Sequence, residues 1–169
     1  MREVKGEAPA SLAIFLREKF GDKGFKQWLD SISPEARNVY SGAILPGSWY
    51  SLKEILIGPL VKACDLFYGG SLKGAWEAGR FCAEHALKGV FDVFAKGGSP
   101  EALIERGSVL IAAYYRPPPN AQIQATKGHG VLKMTEFPDI SRHDEHFLAG
   151  WIERAFEFPP GVHSPPLAA

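Results

Sequence analysis

Leu12, Phe15, Leu16 and Phe20 recur at helical spacing, and after a polar GDKG interruption Phe25, Trp28, Leu29 and Ile32 repeat the pattern. Apolar residues three and four positions apart share one face of an α-helix, so both stretches predict amphipathic helices against a core. In SISPEARNVY, Ser33 precedes Pro34. A serine hydroxyl accepts from a free first-turn N–H and proline is preset for the first helical position, so a short helix starts here. SGAILPGSWY reads as a loop. Ser51 and Glu54 then have the Ser-x-x-Glu spacing of a capping box, followed by a buried face of Leu52, Ile55, Leu56, Leu60, Cys64 and Phe67. Gly58 and Pro59 inside that run predict a kink or break.

The longest helical pattern runs from about residue 71 to 95, with Leu72, Trp76, Gly79, Ala83, Leu87, Val90 and Phe94 on one stripe and glycine pairs at its ends. A further helix is expected over 99–115, with Ser99 as cap and Pro100 in its first turn. Its inner face holds Leu103, Ile104, Gly107, Leu110, Ile111 and Tyr114. After RPPPN the period falls to two. AQIQATKGHGVLKMTEF predicts a hairpin around KGHG, with Ile123 and Ala125 on one face and Leu132 and Met134 opposite. SRHDEHFLAGWIERAF closes the pattern as a helix. Phe147, Leu148, Trp151, Ile152 and Ala155 form its buried face, and Ser141 and Asp144 stand at capping-box spacing. The fold class that follows is α+β: a mostly helical N-terminal part, a small antiparallel hairpin, and a C-terminal helix packed on it.

With 169 residues and 46% hydrophobic composition, the chain is long enough for one domain with a real core. We place it at residues 1–158, followed by a flexible proline-rich tail over 159–169. Lys+Arg and Asp+Glu both number 19 and no basic stripe stands out, which argues against nucleic acid as a partner. No run reaches the roughly 18 apolar residues of a membrane span. Two cysteines and no secretion-like start lead us to expect a reduced, cytoplasmic protein.

Candidate chemistry is sparse. His143 and His146 are i and i+3 and can converge on one ion, but zinc needs a third and fourth ligand, for which only His129 and His163 offer themselves. These two histidines are weak metal candidates, and the acids between them are accounted for by capping and the helix dipole. Cys82 and His85 have the spacing of a thiolate–imidazole pair, without a recognisable oxyanion donor or orienting acid. There is no Gly-x-Gly-x-x-Gly, P-loop or Gly-x-Ser-x-Gly motif. The large amphipathic aromatics Trp49, Trp76, Tyr114, Tyr115 and Trp151 are candidates to line a ligand pocket.

The stretches FLREKFGDKGFKQWLDSISPEARNVYSGAILPGSWYSL, EAGRFCAEHALKGVFDVFAKGGSPEALIERGSVLIAAYY and FLAGWIERAF resemble, in order and in the residues SWY, AGR, GSPE and GWIERA, a bacterial family related to haem-NO-binding domains. Its superfamily also contains 4-vinyl-reductase domains and trafficking subunits of the Golgi transport type. The resemblance covers roughly residues 3–158. It implies helices followed by a small antiparallel sheet with a late helix packed on it. It also implies an iron-ligating histidine on the helix before the sheet. The matching stretch, 99–115, has no His, Cys or Met and an aliphatic residue near Ile111, which leaves Tyr114 and Tyr115 as the conceivable axial ligands. Relatives commonly continue into further strands, where this chain has PPGVHSPPLAA. A smaller sheet with an open edge is the expectation, and that edge can pair with a second copy or a partner.

These readings lead to a non-catalytic sensory or interaction domain in bacterial signalling, with no catalytic residue and no cofactor, binding a small apolar ligand or a protein partner. The alternatives are a haem or tetrapyrrole sensor, and a metal- or thiol-dependent enzyme.

Overall fold

In the computed structural model, which describes residues 1–87, 109, 112–126, 129–138 and 140–157, the first two helical patterns form one bent helix, α1 (Glu7–Ser31). The bend is at Gly21, with φ 67° and ψ 179°. Only glycine occupies that region readily, and nothing lies within 4 Å of where a Cβ would stand, so the backbone rather than crowding demands glycine here. Both halves of α1 face inward, with Leu12, Leu16 and Trp28 fully buried.

Ser33 caps α2 (Pro34–Ser41), its Oγ accepting from the Ala36 N–H at 3.2 Å. The run after Ser51 begins as a π-helical segment, Leu52–Ile57, and becomes α3 (Gly58–Tyr68). Ser51 Oγ accepts from the Glu54 N–H at 3.3 Å, and the Gly58 N–H donates to the Lys53 carbonyl, five residues back. Pro59 has no N–H to offer the Ile55 carbonyl. The Tyr40 hydroxyl donates to that carbonyl instead, at 2.7 Å, and Trp28 Nε1 donates to the Pro59 carbonyl at 2.8 Å. The proline break is thus satisfied from α1 and α2.

Three short strands form an antiparallel sheet of order β2–β1–β3: β1 is Glu3–Lys5, β2 Trp49–Ser51 and β3 Tyr115–Arg116. Val4 stands opposite both Tyr50 and Tyr115. This corrects the sequence reading twice, because Trp49 and Tyr50 are strand rather than loop and Tyr115 is strand rather than helix end. Alternation places Val4, Tyr50 and Tyr115 toward the core, with Glu3, Lys5, Trp49 and Arg116 on the other face. Arg116 pairs with Glu3 at 2.6 Å on that outer face.

The expected hairpin is present as β4 (Asn120–Thr126) and β5 (His129–Thr135), with Ile123 opposite Leu132 and Ala121 opposite Met134. Arg2 ties the chain start to the hairpin base: its guanidinium donates to the carbonyls of Pro117 (2.6 Å) and Glu136 (2.5 Å) and lies over the Phe137 ring.

The long helix is α4 (Lys73–Leu87), and the last is α5 (Arg142–Glu157). The Ser141–Asp144 capping box forms in both directions: the Asp144 N–H donates to Ser141 Oγ at 3.3 Å and the Ser141 N–H to Asp144 Oδ2 at 3.1 Å. α4 and α5 cross at two glycines. A Cβ on Gly79 would fall on the Phe147 carbonyl oxygen, and one on Gly150 on the Trp76 carbonyl oxygen. Each glycine therefore receives the carbonyl three residues before the other glycine. Arg80 with Glu153 and Glu157, and Arg154 with Glu84, fasten the same pair of helices from outside. The expected helix over 99–115 falls largely outside the described residues, as do residues 88–95 of the long pattern, Lys127 and Gly128 in the hairpin turn, and the tail over 159–169. The architecture is α+β, with helices before a small antiparallel sheet and a helix at the C-terminal side. Among the described residues, no single helix is long and apolar enough to cross a membrane.

Candidate ligand-binding cleft

Helix α1 leaves the sheet directly after β1, so its first turns run beside Val4 and across from the α4–α5 pair. Glu7, Ala8 and Ser11 share one face there, since Glu7 and Ser11 are one turn apart. Cys82 and Ala86 approach from α4, and Phe147, Leu148 and Trp151 from α5; Tyr114 and Tyr115 close the remaining side. Together they line a narrow cleft of about 30 Å³ that continues into open solvent. Its walls are overwhelmingly apolar, as small-molecule sites usually are. The closely apposed α4 and α5 backbones fix the position of the Phe147–Leu148–Trp151 wall. Tyr114 and Trp151 meet with ring centroids 6.5 Å apart.

Few polar atoms face this space. Ser11 is almost fully buried. One carboxylate oxygen of Glu7, Oε2, is buried and has no hydrogen-bond partner. Burial pushes the Tyr114 phenol up to about 12, and the negative charge of Glu7 adds to that rise. The Tyr115 phenol is also raised, first by burial and then by Asp144, with Arg2 pulling the other way. These surroundings favour the neutral phenols. Tyr114 and Tyr115 thus stand as neutral phenols, Tyr115 with its ring edge-on to Phe137, and Ile111 lies outside the described residues.

Of the five aromatic candidates, Tyr114, Tyr115 and Trp151 meet in this cleft and two do not. Trp49 lies on the outer face of the sheet, under Arg116 (5.0 Å from guanidinium carbon to ring centroid) and Lys5 (5.9 Å). Trp76 donates from Nε1 to Glu153 at 2.9 Å and carries Arg80 over its ring. Both rings carry cations on their faces. Val4, Glu7, Ala8 and Ser11 belong to the cleft and carried no signal in the sequence beyond that of an ordinary helix start.

The enzyme candidates separate. Cys82 is buried, and burial raises its thiol strongly while the Ser11 hydroxyl pulls weakly the other way. His85 is exposed and stacks on Phe81, with ring centroids 5.9 Å apart. A thiol held in its neutral form, without its imidazole, is a poor nucleophile. Cys64 is buried as well, its thiol pushed up to about 11. His146 donates from Nδ1 to the Arg142 carbonyl at 2.8 Å, closing a local turn. Desolvation holds the His143 imidazole below its usual pKa against the pull of Asp65, and its Nε2 is buried without a partner. Among the described residues, no three His, Cys, Asp or Glu side chains converge to hold a metal ion. The side chain of His129 and all of His163 lie outside the described residues.

No family model, no curated protein and no solved structure matches the chain.

Proposed function

We propose that this chain is a non-catalytic ligand-binding domain, of the sensory or interaction kind, that holds a small and largely apolar molecule between α1, α4, α5 and the Tyr114–Tyr115 corner. One observation carries this reading. The cleft is built from apolar walls on three helices and opens to solvent, with its few polar atoms gathered on the α1 and Tyr114 side. Such a space suits binding and orientation. Bond-making chemistry would need a nucleophile or base within reach of a partner, and Cys82 has no such partner in His85.

The test uses 4-phenylbutan-1-ol, a neutral probe with an apolar body, and calorimetric titration of the full chain. Saturable one-to-one binding is expected. Ala86→Phe fills the cleft from α4 and should abolish binding while the thermal melt stays cooperative. Equal binding to this variant, or no binding to the wild type, contradicts the reading.

A second reading has its own observation. Hairpin β4–β5 pairs with no third strand among the described residues, and Val131 on β5 is 48% exposed. An open edge of this kind can add a strand from a second copy or a protein partner. Sedimentation velocity over a hundredfold concentration range separates the two, because edge pairing makes the sedimentation coefficient rise with concentration.

A further inference from the structure

We propose that the ligand of this cleft carries a protonated amine on its apolar body, and that Glu7 receives the ammonium group. The inference deepens the ligand-binding reading and rests on it.

The starting point is an unpaid hydrogen-bond acceptor. Glu7 Oε2 is buried and unpartnered at the wall of an otherwise apolar cleft. Buried carboxylate oxygens are normally satisfied, and a bare one needs an explanation. The position of Glu7 in the first turn of α1 accounts for its charge, through the helix dipole, but leaves Oε2 without a donor. Among the described residues no ion pair involves Glu7, although Glu3, Glu77, Glu84, Glu153 and Glu157 are each paired with Arg or Lys.

The neighbours of Glu7 fit the same ligand end. An ammonium group has three donors and no acceptor. Glu7, the Ser11 hydroxyl and the Tyr114 hydroxyl can accept from it, and all three residues line this cleft. Tyr114 stands close enough to Glu7 for its phenol to register the carboxylate charge. Tyr114 and Trp151, whose rings meet at the cleft wall, add aromatic surface suited to a cation as well as an apolar chain. A carboxylate-bearing ligand would meet repulsion at the same spot, and an alcohol would gain one hydrogen bond of the weaker kind.

Three probes with one body separate these cases: 4-phenylbutylamine, 4-phenylbutan-1-ol and 4-phenylbutyrate, each titrated calorimetrically into the full chain at pH 7 and low salt. The amine should bind about tenfold more tightly than the alcohol, and the carboxylate more weakly than either. Glu7→Gln, close to isosteric, should bring the amine and the alcohol to similar affinities. An amine that binds no better than the alcohol overturns the assignment to Glu7 while the cleft stands, and so does a preference that survives Glu7→Gln. If none of the three binds, the cleft reading and this inference fall together. The wild-type series decides the question even if the variant does not fold.

Discussion

Gly79→Ala places a methyl group on the Phe147 carbonyl oxygen, where α4 meets α5. In an open helix the same change is favourable by about 1 kcal/mol, because alanine is the better helix former. Here the opposing atom belongs to the backbone, so no side-chain rotation can make room and the helices must separate. Overpacking costs about 1–3 kcal/mol, and with a backbone oxygen in the way the upper end, about 2–3 kcal/mol, applies. Separation also loosens the Arg80 contacts to Glu153 and Glu157, which adds little because those groups are largely solvated. The net expectation is a loss of about 1–2 kcal/mol, or a melting temperature lower by about 2–8 °C for a domain of this size. Gly150→Ala should behave alike, since its methyl meets the Trp76 carbonyl oxygen. The double variant should cost less than the sum, because the first methyl has already moved the helices that the second would push apart. Urea unfolding of the four proteins, followed by circular dichroism, reads all of this. Either single variant at or above wild-type stability would refute the close crossing, and strict additivity would refute the shared mechanism.

Tyr40→Phe removes the hydroxyl that donates to the Ile55 carbonyl opposite Pro59, so stability should fall by about 1–3 kcal/mol; unchanged urea unfolding would show that another donor serves that carbonyl. Asp144 is buried, and desolvation raises its carboxyl from 3.8 to about 6 despite the Ser141 N–H and hydroxyl, which favour its charged form. The folded state thus holds this proton more tightly than the unfolded state, so the stability it contributes is present below about pH 4 and lost as pH rises to about 6, by at most about 3 kcal/mol. Asp30, Glu77 and Glu157, with lowered values, act in the opposite sense. The difference between wild type and Asp144→Asn therefore isolates the effect, and identical pH slopes from 4 to 7 would contradict it.

The helices and the hairpin were legible because each repeats its apolar period over enough residues to be distinguished. The three-stranded sheet was not. β1 and β2 have three residues and β3 two, and they come from positions near 4, 50 and 115. A strand that short shows one or two inward side chains, too few for a period of two to register. The break at Gly58–Pro59 was visible, but not its π-helical approach or the use of Tyr40 to satisfy Ile55. The crossing at Gly79 and Gly150 was half visible, as Gly79 lies on an apolar stripe while nothing local marks Gly150 as its counterpart. Of the aromatic candidates, Tyr114, Tyr115 and Trp151 come together in the cleft, while Trp49 and Trp76 lie apart from it under cationic side chains. The same amphipathic ring that closes a pocket also supports a surface cation, and only the tertiary arrangement decides which. Glu7 was indistinguishable from an ordinary first-turn acid, since its significance lies in the donor that Oε2 lacks.

The proposed ligand site is the space between α1, α4, α5 and Tyr114–Tyr115. Isotope-filtered nuclear Overhauser spectroscopy on the labelled chain with 4-phenylbutylamine tests it most directly. The account predicts contacts from the phenyl ring of the probe to Phe147, Leu148 and Trp151, and from the carbon next to nitrogen to Glu7 and Ser11. Contacts concentrated on Trp49, Trp76 or hairpin β4–β5 would contradict it, as would a saturating probe with no contact to α5.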